Sequence, residues 1–259
     1  MRVYSAGGFA DEGAARTFIE AVSSTRPDIV AEYAGTLEGG MEDDSALVMM
    51  LRRAPSTIEE GTIMAAIMER GPRGYVSVPR PLESLPPGSK VATCVPVAAP
   101  ALEEAFPSLS IVLADGADEC LEMLEADADA AVIPEMEAVL SGTGSRFSLP
   151  ADAIPQAASQ GVVAVICRSD DDNALTWART ANHPRTRIEI GVERGVLKMM
   201  GAGPFSPVGV SGVLEDMFVH VQATSYVCPD GPRKVDDYVA IDYVMDDLLD
   251  IADYLSGKA

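Results

Sequence analysis

Between a helical run, Val192–Met200 ("VERGVLKMM"), and a strand-like run, Met217–Ala223 ("MFVHVQA"), the chain carries "GAGPFSPVGVSG", Gly201–Gly212. Three glycines within nine residues, interleaved with prolines, mark a loop whose backbone takes positive φ or approaches another group closely. Loops of this kind often present one reactive or ligand-holding side chain. Other chemistry-bearing residues are sparse. Cys94, Cys120, Cys167 and Cys228 form no CxxC pair, and His183 and His220 have no ligand partner at metal spacing. No zinc or redox centre is therefore expected. His220 sits in the alternating "MFVHVQAT", which predicts a structural histidine on one face of a strand. "SAGGFADEGAA" (Ser5–Ala15) places glycines between a strand and a helix, but it is not GxGxxG, and Asp11 and Glu12 already complement the helix start. No GxSxG occurs, and the pairs Asp236/Asp237 and Asp246/Asp247 read as solvated faces.

The elements that must position these residues alternate along the chain. "RVYS" is a strand, and "DEGAARTFIEAVSSTR" follows with Ala14, Phe18, Ala21 and Val22 at helical spacing. Strands are expected at 28–34, 45–50, 62–68 and 74–78, then a proline-rich joint, "VPRPLESLPPGSK" (78–90), reads as a domain crossing. Beyond it come a strand from Lys90, a helix around Ala101–Phe106, a strand at 109–114, a helix at 116–127, a strand at 129–134 and a short helix at 135–142. "GVVAVICR" (161–168) is apolar on both faces, as a fully covered strand must be. The last third changes character. A helix over 187–200 leads through the glycine loop into three antiparallel strands, 206–216, 217–227 and 233–243, with turns at "EDM" and "CPDGPR". A closing helix follows, with Val244, Leu248, Ile251 and Leu255 as its apolar stripe.

Composition bounds what this assembly can do. The 259 residues include 40 acidic and 19 basic side chains, a formal net charge of −21. Such a chain repels phosphate backbones and anionic lipid, so neither nucleic acid nor membrane is an expected partner. An anionic ligand would need a local pocket of arginines set against the global field. No apolar run of eighteen residues occurs, and the N-terminus has no apolar signal core, so a cytoplasmic location is expected. The methionines cluster in "LVMML", "IMAAIM" and "LKMM" as core filler.

Four stretches carry a family resemblance. "LESLPPGSKVATC" (82–94) is similar to "LPxGxxVGTSSLRR", and "LPADAIPQAASQGVVAVICR" (149–168) to "LPAxGQGALAIECR", keeping Gln160, Gly161, Cys167 and Arg168. "RIEIGVERGVLKMMGAGPFSPVGV" (187–210) resembles "xxERAFLRxLxGGCxxPxG", and "VCPDGPRK" (227–234) resembles the turn "SPDGxR". Together they resemble the hydroxymethylbilane synthase family, also called porphobilinogen deaminase. The resemblance implies an α/β protein of three domains. Two are like type 2 periplasmic binding proteins, and a small C-terminal α+β domain carries a three-stranded antiparallel sheet. The divisions expected on this chain are 1–86 with 169–190, then 87–168, then 191–259, with a ligand cleft between the first two.

In that family the glycine loop carries a cysteine that holds a dipyrromethane cofactor. Here the position falls on Pro204, which has no nucleophile. Ser206, nearby, would need a different attachment chemistry. The family's catalytic aspartate, in "HSMKDVP", falls on Arg53 of "MMLRRAP", and its lysine on Arg52. An arginine there reverses the field at a developing cation. Arginines that grip substrate carboxylates in the family are replaced by Ala6, by Cys94–Ala98 ("CVPVA"), and by Ala114 and Cys120. The resemblance thus implies a scaffold retained while its deaminase site is dismantled, and no bound cofactor is expected. The expected partner is a small molecule in the interdomain cleft or a protein of tetrapyrrole metabolism. Two alternatives stand beside it: an active synthase with unorthodox residues, carrying dipyrromethane, or an enzyme of new specificity. In the last, Arg52, Arg53 and Arg168 would be cleft cations and Cys94 a nucleophile, with Gln160, Gly161 and Ser206 also at the cleft.

Overall fold

The computed structural model describes residues 2–5, 9–36, 45–50, 60–203 and 205–258. The first sheet gathers β1 (Arg2–Ser5), β2 (Glu32–Thr36), β3 (Ser45–Met50) and β4 (Thr62–Ile67). It is completed by β10 (Val163–Arg168), in the order β2-β1-β3-β10-β4. The first three strands are parallel, with α1 (Phe9–Thr25) joining β1 to β2, whereas β10 runs antiparallel to both its neighbours. Ala14, Phe18 and Val22 of α1 are fully buried with Val3, Val163 and Val165, as their helical spacing requires.

The second sheet repeats the plan. β6 (Lys90–Thr93) lies parallel between β7 (Ser110–Leu113) and β8 (Ala130–Pro134), and α2 (Ala98–Ala105) and α3 (Ala117–Ala126) connect them. β5 (Tyr75–Val78) enters antiparallel beside β8, and the short β9 (Phe147–Ser148) closes the edge after α4 (Glu135–Leu140). Each sheet therefore takes one long-range antiparallel strand from across the crossing, β10 in the first and β5 in the second.

This topology corrects the expected divisions. Tyr75–Val78, assigned in sequence to the first domain, pairs in the second sheet, and Val163–Arg168, assigned to the second, pairs in the first. The proline-rich stretch 78–90 is not a crossing either. Leu82 and Leu85 are buried in the second core, so its prolines shape a surface loop pinned by two apolar anchors. The crossings are instead residues 68–74 and 149–162.

After α5 (Asp172–Arg179), capped by the Asp171 carboxylate accepting from the Ala174 amide, α6 (Pro184–Met200) starts the third unit. His183 caps α6 through Nδ1, Pro184 takes the first turn, and Gly201 ends it in the left-handed region, φ 67°. β11 (Val208–Glu215), β12 (Phe218–Ser225) and β13 (Arg233–Ala240) form the antiparallel sheet, and α7 (Leu249–Ser256) closes over it. The α/β class with a C-terminal three-stranded sheet is as expected. Leu248, Ile251 and Leu255 are buried, whereas Val244 is 62% exposed because α7 begins only at Leu249. Among the described residues no helix is long and apolar enough to cross a membrane.

Tyr75 illustrates how tightly the second core closes. Its ring is buried, its hydroxyl donates to the Pro155 carbonyl at 3.0 Å, and burial pushes the phenol far above its ordinary value. The folded state holds this proton more tightly than the unfolded chain, so the associated stability is intact below pH ~10 and falls as pH rises above it. Urea midpoints measured from pH 8 to 11 should show no loss from this group up to about pH 10 and a fall above it, less steep in Tyr75→Phe.

Candidate functional site

The two crossing segments lie side by side. The Gly71 amide donates to the Gly161 carbonyl at 2.8 Å, and the Met68 amide to that of Val163 at 3.0 Å. Gly161 has φ +73°, and a Cβ there would stand 2.6 Å from the Pro72 carbonyl oxygen, so only glycine fits. Its neighbour Gln160, 4% exposed, donates through Nε2 to the carbonyls of Arg73 (2.6 Å) and Gly74 (3.2 Å) and accepts from the Ala157 amide. Both residues are expected at the cleft from the sequence. Here they tie one crossing segment to the other.

A buried ion network fixes the third unit to these crossings. Arg70 forms a two-pronged pair with Glu193, at 2.8 and 3.0 Å, with side-chain exposures of 6% and 1%. Arg73 donates to Glu189 at 2.7 Å and to the Gly212 carbonyl at 2.8 Å. The carboxylates are satisfied further by backbone. Glu193 accepts from the amides of Ser159 (2.6 Å) and Gly212 (2.8 Å), and Glu189 from the Leu214 amide (3.1 Å) and, from a side chain, Arg185 Nε (3.2 Å). Two arginines and two glutamates balance in charge, which is the condition under which such groups can be buried. Every oxygen of both carboxylates accepts a bond, so neither is placed to act as a general acid or base. The junction is structural. Sequence reading gives α6 as one helix and misses this pairing, although "RTRIEIGVER" (185–194) sets Arg185, Glu189 and Glu193 four apart on one face.

The opposite face of α6 looks across an open groove of about 680 Å³ toward β4. Arg187, Arg194 and Lys198 line it, with Met64, Ile190 and Met245, and the glycine loop closes one end at Gly201–Gly203. The loop is held by its own serine: the Gly203 amide donates to Ser206 Oγ at 3.0 Å, and the Ser206 amide to the Gly203 carbonyl at 3.1 Å.

The remaining sequence candidates separate. Arg52, Arg53 and Pro204 lie outside the described residues. Arg168, at the end of β10, is half-buried with Nε 3.6 Å from Asp170. Cys94 is 5% exposed within the second core, beside Val95 and Val97, which withdraws its sulfur from a nucleophile's role. Cys120 and Cys167 are also buried, and burial raises the Cys167 thiol above its ordinary range. Cys228 faces the Leu255 carbonyl at 3.6 Å and packs against Gly257. No cysteine thus stands in the glycine loop, and none of the four is offered to a pyrrole primer there, so these residues do not fit a thioether-linked dipyrromethane. His220 is on β12 as expected, 2.7 Å from Asp236 and stacked on Tyr238. Among the described residues no group of metal-ligating side chains is present.

Two mixed α/β sheets exchanging one strand each, with a helix-and-sheet unit clamped on their crossings, define a two-lobed α/β class with an appended third unit. The family model for porphobilinogen deaminase, dipyromethane cofactor binding domain, matches residues 37–176, and the chain belongs to that family. It is 30% identical over 212 residues to the porphobilinogen deaminase of Geobacillus kaustophilus, covering 78% of this chain and 67% of the relative. For the enzyme of Nostoc sp. the figures are 29%, 68% and 58%, and for that of Nitrosomonas europaea 29%, 78% and 68%. The chain thus spans roughly two thirds of these relatives' length. Among solved structures it is similar to the methionine-binding protein MetQ (13% identity, TM-score 0.45, 70% of this chain and 88% of that one). It is also similar to immunogenic lipoprotein A of Vibrio vulnificus (11%, 0.42, 72% and 96%).

Proposed function

We propose that this chain is a non-catalytic member of the porphobilinogen deaminase family, keeping the scaffold to bind a ligand or a protein of tetrapyrrole metabolism at the cleft between its two lobes. The observation that carries this reading is chemical. The loop after α6 offers proline at position 204 where a primer-holding thiol is required, and all four cysteines lie elsewhere in the fold. Arg53 supports it, since a cation at the position of a catalytic carboxylate opposes a cationic transition state.

The relatives' common name favours an active synthase as the second reading, and one measurement separates the two. The intact mass of the purified protein should equal that of the bare 27.2 kDa chain. Porphobilinogen consumption should be slower than an active relative's by at least about 100-fold, the lower end of the scale set by losing one electrostatic stabiliser. An adduct of two linked pyrroles, or release of a linear tetrapyrrole, would establish the second reading instead.

A further inference from the structure

The antiparallel sheet of the third unit has a second face. Side chains alternate across a strand, so Val219, Val221 and Ala223 of β12 enter the core while His220, Gln222 and Thr224 face away from it. Strand pairing sets these out in rows: Ser211, Gln222 and Asp236 form one, Gly209, Thr224 and Lys234 the next. At Gly209 the sheet docks on the second crossing, where an added Cβ would stand 2.8 Å from the Gln156 carbonyl oxygen and 2.9 Å from Pro155 Cβ. Ser211 Oγ donates to Gln156 Oε1 at 3.1 Å across the same junction. A cavity of about 410 Å³, within the range of small-molecule sites, opens beside it between the two rows, residues 151–156, Glu104 and Tyr226.

Two independent observations give this cavity an occupant. Thr224 is only 8% exposed and lines the cavity, and among the described residues its hydroxyl has no hydrogen-bond partner. A buried hydroxyl in that position takes its partner from whatever fills the space beside it. Charge is the second. Glu104, Asp152 and Asp236 stand around the cavity against one cation, Lys234. Hydrogen bonds with His220 and Gln222 hold the Asp236 carboxyl below its usual range, so it is an anion. The Tyr226 hydroxyl donates to Glu104 Oε2 at 3.3 Å, and burial beside Glu104 pushes the phenol up to about 12, so it stays a neutral donor. Ile154, Ala223 and Val235 supply apolar lining between these polar groups. The two rows lie about 7 Å apart, two residues along the strand, a span that a short methylene chain covers.

We propose that the cavity between the outer face of the third sheet and the second crossing binds an aliphatic di- or polyamine. An ammonium group carries three donors and no acceptor, which matches the carboxylates of Glu104, Asp152 and Asp236 together with Thr224 Oγ1, and the methylenes lie on Ile154 and Val235. None of the lining residues comes from the first sheet's lobe, so the site is distinct from the cleft between the lobes and stands whichever way the pyrrole assay falls.

The test is calorimetric titration of the full chain with 1,4-diaminobutane, beside the neutral 1,4-butanediol, succinate and magnesium ion. Saturable one-to-one binding of the diamine is expected, several-fold tighter than any control and weakening with added salt. Thr224→Val should weaken it several-fold and Glu104→Gln/Asp152→Asn at least tenfold. Glu20→Gln/Glu83→Gln removes the same charge from exposed positions away from the cavity and should leave affinity unchanged. Circular dichroism and melting of each variant establish that the fold is intact. Absence of saturable binding at millimolar concentration would overturn the proposal. Binding of magnesium as tight as the diamine's, or equal losses in the two folded double variants, would also overturn it, since the overall charge of −21 would then account for the attraction.

Discussion

Truncating Glu193 to alanine is expected to lower the unfolding free energy by about 3–5 kcal/mol, because Arg70 is left as a buried, uncompensated cation. Arg70 and Glu193 have side-chain exposures of only 6% and 1%, so water cannot replace the missing carboxylate. The Ser159 and Gly212 amides lose their acceptor in the same step, which adds unsatisfied donors at both a crossing and the third sheet. The melting temperature should fall by on the order of 10 °C. Much of the loss reflects the stranded partner rather than the worth of the pair. The double variant Arg70→Met/Glu193→Leu should therefore be markedly more stable than Glu193→Ala. If the single variant unfolds within about 1 kcal/mol of the parent in urea, the network does not bear on stability in the way its burial implies.

Gly161→Ala is expected to cost about 2–4 kcal/mol, from two separable sources. Left-handed backbone alone penalises an L side chain by about 1–2 kcal/mol. The remainder comes from space: the new Cβ would sit 2.6 Å from the Pro72 carbonyl oxygen and 3.1 Å from that of Gly71, so the paired crossings must part. Gly142 provides the comparison, with φ +69° and no atom within 4 Å of the point its Cβ would occupy. Gly142→Ala should lose only the backbone component. Equal losses at the two positions, by chemical denaturation, would show that the crossings tolerate separation.

Local elements were readable because their apolar periodicity is set by neighbours in sequence. The strands at 45–50 and 62–67, the three-stranded C-terminal meander and the helix ending at Met200 all follow from that periodicity and from turn residues. What could not be read was which sheet each strand joins. "GYVSV" and "GVVAVICR" look like continuations of the segments before them, yet both cross, because the partner that satisfies their edges lies about 55 to 105 residues away in sequence. The same limit applied to the site. Gln160 and Gly161 match a motif and could be singled out, but their role is fixed by the carbonyls of residues 72–74. Arg70 and Arg73 carried no signal at all until α6 brought Glu189 and Glu193 against them.

The exchange of strands also sets a timetable for a chain emerging from the ribosome. The second sheet has all its strands once Ser148 has been made, whereas the first must wait for Arg168, although it began at Arg2. The lobe started later is thus the first that can close, and the earlier one stands incomplete beside it until the return strand arrives.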